Sequence, residues 1–168
     1  MSRQQGNLTL GIDPGTATTG YGLVQGGADL RLVECGIIST PAELPLAERL
    51  RMIFASLGQI IDQHRPDGAA VEQLFFSRNA RTALAVGHAR GVVLLALAMK
   101  DLPLFEYTPL QVKQAVTGYG RAGKPQVQAM VRVLLHLEAA PQPDDAADAV
   151  AVAICHAQAS RLRQRLGV

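Results

Sequence analysis

The sequence predicts an α/β domain built on a mixed sheet of five strands, antiparallel at one side, parallel where helical crossovers intervene, and covered by helices on both faces. Three observations predict it. Strand-like segments at residues 8–12, 19–24 and 31–38 follow one another across short turns, as in a meander. Two further short strands, residues 68–73 and 104–107, are each preceded by a long stretch of helical character. From Thr108 onward the chain reads as successive helices.

Taken in order, Leu8, Leu10 and Ile12 form a buried strand that stops at Asp13, where Pro14 and Gly15 force a turn. Gly26 and Gly27 separate the second and third strands. Pro45 opens a helix with Leu46, Leu50, Ile53, Leu57, Ile60 and Ile61 on one stripe, ending near His64 before Pro66. The strand at 68–73 carries Glu72 at its end, the same placement as Asp13. A helix over 80–99 follows, in which Gly87 and Gly91 stand four apart and let another helix or the sheet approach closely. Thr108 and Pro109 read as an N-cap and first helical residue of a helix ending at Gly118. Residues 118–124 form a basic glycine-rich loop, Pro125 opens the next helix, and the last runs from Asp144 to about Arg165.

A chain of 168 residues fits one domain over 1–168, with fraying expected at about 1–6 and 161–168. The longest apolar run, 92–99, is too short to cross a bilayer, and the first residues lack a signal-peptide core, so a cytoplasmic, membrane-free protein is expected. Cys35 and Cys155 have no spacing for a disulfide frame or zinc site. A net charge of +2 permits a polyanionic partner without demanding one.

The informative residues are acids in awkward places. An ionised Asp13 where a core strand emerges needs a cation nearby, although Asp-Pro-Gly also serves as a plain turn. Asp145 and Asp148 are three apart and share a helix face, and Asp148 lies among alanines and valines where a solvated charge is unusual. Asp144, beside Asp145, reads as a complement to the helix dipole. If the fold gathers Asp13, Glu72, Asp145 and Asp148, they cannot all stay ionised without cations. Oxygen-only ligands select a hard ion, so two Mg²⁺ per site are expected, with Mn²⁺ able to substitute, poised for phosphodiester hydrolysis.

The motifs Gly11-Ile12-Asp13-Pro14-Gly15-Thr16 with Thr19-Gly20-Tyr21-Gly22, Val71-Glu72-Gln73-Leu74-Phe75, Gly87-His88-Ala89-Arg90-Gly91, Gln111-Val112-Lys113-Gln114 and Asp145-Ala146-Ala147-Asp148-Ala149 resemble, in order and over nearly the whole chain, those of the RuvC family of bacterial Holliday-junction resolvases. The resemblance implies a ribonuclease-H-like fold, a homodimer, four-way junction DNA as substrate, and the RuvA–RuvB branch-migration complex as partner. It implies a catalytic tetrad of Asp13, Glu72, Asp145 and Asp148, with a one-residue ambiguity of register between Asp144 and Asp145. It places Lys113 and Lys124 beside the site, Lys124 in a catalytic role, and an aromatic at Phe75 stacking on bases; Phe75 and Phe76 could exchange roles.

Around these acids Arg78, Arg81, Arg90, Lys113, Arg121, Lys124 and Arg132 form a basic rim suited to a phosphate backbone. Phe75, Arg78, Arg81, Lys113, Arg121 and Lys124 are the expected DNA contacts; for Arg132 a solvated helix face is the better account. Two other functions compete. One is an RNA-processing nuclease of the same fold; the other is an actin-like nucleotide-binding module using Asp13-Pro14-Gly15-Thr16 as a phosphate loop, which needs a second matching domain. The helix at 80–99, more apolar than one buried stripe requires, is the expected dimer interface.

Overall fold

The computed structural model describes residues 6–73 and 79–167. Its strands are β1 (Leu8–Asp13), β2 (Thr18–Gln25), β3 (Arg31–Ser39), β4 (Gly68–Glu72) and β5 (Leu104–Tyr107). Its helices are α1 (Leu46–His64), α2 (Ala80–Met99), α3 (Pro109–Thr117), α4 (Lys124–Leu134) and α5 (Asp144–Leu166). The strands form one five-stranded sheet in the order β3-β2-β1-β4-β5. β1, β2 and β3 pair antiparallel, as their short turns require, whereas β4 lies parallel to β1 and β5 parallel to β4. The mixed sheet expected from the order of elements is the one observed.

The side-chain period of two decides what each face of the sheet carries. Leu10 and Ile12 of β1 join Ala69 and Val71 of β4 in a core with Ile53 and Leu57 of α1 and Ala89 and Val93 of α2. The alternate positions, Gly11 and Asp13 in β1 and Ala70 and Glu72 in β4, therefore face the other layer. There Ala70 belongs to a second core with Val112 of α3, Val131 of α4, and Val150 and Ala153 of α5.

Helix α5 lies directly on this face because both surfaces lack bulk. A Cβ at Gly11 would collide with the Ala149 carbonyl oxygen, and one at Gly20 with the Asp145 carbonyl oxygen. The helix answers with Ala146, Ala149 and Ala153, all fully buried. Every residue from Ala149 to Ala157 is buried, since the sheet covers one side while α3 and α4 cover others. α5 continues to Leu166 and closes on Gly167 at φ 71°, so residues 161–166 are helical where fraying is expected from sequence.

Helix α2 departs from its sequence reading in two ways. A Cβ at Gly87 or Gly91 would meet nothing within 4 Å, so neither glycine serves close packing among the described residues. By length and composition α2 also qualifies as a membrane-crossing helix, which the run 92–99 alone does not. Its buried residues, Ala89, Val93, Ala96 and Leu97, nonetheless belong to the core over α1 and the sheet.

Candidate active site

Asp13 ends β1 at a turn held from three sides. The Thr19 hydroxyl donates to the Gly15 carbonyl at 2.8 Å, that of Thr16 to the Ala85 carbonyl in α2 at 2.7 Å, and that of Thr40 to the Thr16 carbonyl at 2.6 Å. Ile12 is paired with Val71, so Asp13 and Glu72, one residue further along parallel strands, are neighbours on the face toward α5. α5 supplies the other acids. Its Asp145 carbonyl sits over Gly20, itself the register partner of Asp13, and Asp148 follows one turn later.

One carboxylate oxygen from each of Asp13, Asp145 and Asp148 falls within 4.8 Å of the others. Glu72 lies outside that group but lines the same cleft of about 310 Å³, together with Asp13, Asp148, Lys113 and Lys124. The gathering of four acids expected from sequence is thus observed as a tight trio with Glu72 on the wall beside it.

Electrostatics follows from this crowding. Burial, then the charges of Asp148, Asp145 and Glu72, push the Asp13 carboxyl up to about 7. Burial and Asp148 raise Glu72, with Lys113 opposing; burial raises Asp148, with Lys124 opposing. The Lys124 ammonium lies 3.2 Å from Asp148 Oδ2 and 3.3 Å from Asp144 Oδ2. Burial works against that ammonium, but its bonds to the two carboxylates outweigh it and raise its pKa. Two lysines do not neutralise this many acids, and the donors are all oxygen, so the residues present fit a hard divalent cation.

The other expected site residues divide. Arg81 is exposed and lines a separate groove with Thr16, Arg49 and His88 rather than the acidic cleft. Arg121 is exposed and is not among the cleft-lining residues. Phe75, Phe76 and Arg78 lie outside the described residues. Asp144 makes no cap; it accepts from Gln128 Nε2 at 2.9 Å and pairs with Lys124, and the Gln128 bond followed by Lys124 lowers its pKa. Arg90, read from sequence with the basic rim, is instead turned inward: its Nη1 donates to the Glu72 carbonyl at 2.7 Å and its Nη2 pairs with Glu106. His156, given no role from sequence, is buried on α5 between the Tyr107 hydroxyl at 2.8 Å and the Ser160 hydroxyl at 3.0 Å. Nothing in its local sequence signals this, because Tyr107 comes from a distant strand.

A mixed sheet with acids ending two adjacent parallel strands and a third and fourth on the helix laid across them defines the ribonuclease-H-like class of nucleases. The family model described as crossover junction endodeoxyribonuclease RuvC matches residues 9–156. The crossover junction endodeoxyribonuclease RuvC of Pelotomaculum thermopropionicum is 60% identical over 151 residues, covering 89% of this chain and 92% of that one. That of a Roseiflexus species is 57% identical over 159 residues, covering 94% and 95%. The solved structure of T. thermophilus RuvC in complex with a Holliday junction substrate is 40% identical, superposes with a TM-score of 0.88, and covers 93% of this chain and 96% of that one. The chain belongs to the RuvC family of crossover junction endodeoxyribonucleases.

Proposed function

We propose that this protein is a metal-dependent endonuclease that resolves four-way DNA junctions by paired, symmetric nicks, in the cytoplasm, during recombination and repair. The observation that carries the reading is the convergence of Asp13, Asp145 and Asp148 within 4.8 Å, beside a cleft that Asp13 and Asp148 line together with Glu72. These four acids would hold two Mg²⁺ ions, with Mn²⁺ able to replace them. When bound, such ions activate water and stabilise the leaving oxygen of a phosphodiester. Asp13, at the end of the central strand, stands at the middle of the cluster, where Asp148, Asp145 and Glu72 all bear on its charge. Lys124 orients the Asp148 carboxylate through its 3.2 Å contact and keeps a positive charge at the cleft mouth. Lys113, on the wall near Glu72, offsets charge that develops on the phosphate. Phe75, Arg78, Arg81 and Arg121 are the proposed DNA contacts outside the cleft, Phe75 by stacking on bases.

Two symmetric cuts need two sites, which a C2 dimer supplies. Its proposed interface is the outer face of α2, where Leu84, Leu95 and Met99 are 62%, 54% and 66% exposed and Gly87 and Gly91 are open. The RuvA–RuvB complex is proposed as the partner that delivers junctions.

The test uses a cruciform plasmid and a mixture of active protein with excess Asp148→Asn protein. Nicked circles from one-site dimers are expected; linear product undiminished by the excess would mean that each chain cuts alone. Labelled four-way junctions, duplex DNA and structured RNA compared in parallel should show cleavage of the junction alone, and equal cleavage of the RNA would return the RNA-processing alternative.

A further inference from the structure

We propose that Arg90 is a positioning residue for Glu72: from α2 it clamps the end of β4 and so fixes where that carboxylate enters the acidic cleft. The inference rests on the reading of Glu72 as a metal ligand. Its ground is geometric. The Arg90 side chain is only 14% exposed, and its guanidinium is divided between the Glu72 carbonyl, at 2.7 Å, and the Glu106 carboxylate. Glu72 is the last residue of β4, and among the described residues the ladder beyond it supplies one bond, from the Gln73 amide to the Tyr107 carbonyl at 2.7 Å. A side chain that fixes a strand end has to be rigid itself, and the planar guanidinium fork presents its donors in a fixed geometry.

The same helix holds the other acid-bearing strand. Thr16, three residues after Asp13, donates to the Ala85 carbonyl of α2. One and a half helical turns of α2 therefore grip both strand ends, and only Arg90 does so next to the acid itself. Glu106 sits on β5, which pairs with β4, so the fork also keeps the two strand ends in step.

Partners that hold a metal ligand in place commonly change metal affinity by about 10- to 100-fold when removed. The test is Mn²⁺ binding to the full-length, DNA-free protein by electron paramagnetic resonance, alongside thermal melting without metal and junction binding in Ca²⁺. Arg90→Met is expected to weaken Mn²⁺ binding about tenfold while junction binding stays within about twofold. Arg90→Lys, which keeps one contact and covers the case where the Met variant does not fold, should fall between. Glu106→Gln leaves the Arg90 bond to Glu72 in place and should change binding less than about twofold.

Unchanged Mn²⁺ binding in both Arg90 variants, whatever their melting temperatures, would overturn the inference. Glu72→Gln separates it from the reading beneath: if that variant binds Mn²⁺ normally, Glu72 is no ligand and both ideas fall. If it binds weakly while the Arg90 variants bind normally, only the positioning role falls. In the double variant Arg90→Met should add less than about twofold to Glu72→Gln; a further full loss would place its action elsewhere and also overturn the proposal.

Discussion

Two pairs of glycines in this molecule look alike in sequence and have opposite surroundings. Gly11 and Gly20 lie in strands under α5, where any Cβ would strike helix backbone. Gly87 and Gly91 lie on α2 facing nothing within 4 Å among the described residues. The first pair is a seat: it lets α5 descend until Asp145 and Asp148 meet Asp13. The second costs α2 roughly 1 kcal/mol of helix propensity per residue without any packing return among the described residues. The difference teaches that a small residue marks a close approach only when its partner is known, and the open face of α2 is where the proposed dimer would supply one.

Charge and seat can be separated first. Asp148→Asn keeps the helix where it is and removes one charge from the proposed metal site, so cleavage should fall by about a thousandfold, near 4 kcal/mol in barrier. Junction binding should persist or tighten, as measured by gel shift in Ca²⁺. Turnover near that of the parent would mean that the seat serves packing and not this acid.

Metal should relieve what the seat imposes. Because the Asp13 carboxyl is raised from 3.8 to about 7, the folded protein without metal holds a proton that the unfolded chain has released across that window. Its stability therefore falls as pH rises from about 4 to 7 and levels off above, by at most about 4 kcal/mol and less once the acids share the burden. Melting in EDTA and in Mg²⁺ should show little difference near pH 5 and a large Mg²⁺ stabilisation near pH 8. Equal stabilisation at both would break the link between crowding and metal.

Gly20→Ala should unseat the N-terminal end of α5, with a loss of about 1–3 kcal/mol in urea unfolding and a larger proportional loss of cleavage. Gly91→Ala is the smallest expected effect and the converse one. The isolated subunit should gain up to about 1 kcal/mol, while sedimentation is expected to show weaker association across the proposed dimer interface. If the two alanine variants destabilise the subunit equally, the contrast between the glycine pairs is lost.

Much of this was legible beforehand because strands and turns are local. Asp13 and Glu72 at strand ends follow from apolar runs stopping at an acid, and the shared face of Asp145 and Asp148 follows from a spacing of three. What could not be read was phase. α2 is apolar almost all round, so its periodicity does not say that Arg90 points inward and Leu95 outward, and sequence alone puts Arg90 with the basic rim. α5 hides its seat for the same reason: from Ala149 to Ala157 it is buried on every side and has no stripe. Arg81 shares a segment with the acids but opens on another groove, a matter of which side of the Asp13 turn α2 begins. His156 needed a tyrosine 49 residues away to explain it.

The enclosure of α5 also says who must yield when protein meets nucleic acid. A helix buried without interruption from Ala149 to Ala157 is ill suited to shift after a phosphate, so the proposed catalytic acids Asp145 and Asp148, just before that stretch, form an anvil rather than a hand. The work of adjustment falls to the DNA, which has to carry its scissile bond down into a cleft whose depth is set by glycine and alanine. For a continuous duplex such bending costs on the order of 1–6 kcal/mol. At a four-way crossing the strands have already left their helices and can make the descent cheaply. Selectivity for branched DNA can thus arise from the stiffness of an alanine-rich helix, with no need for a single base to be read.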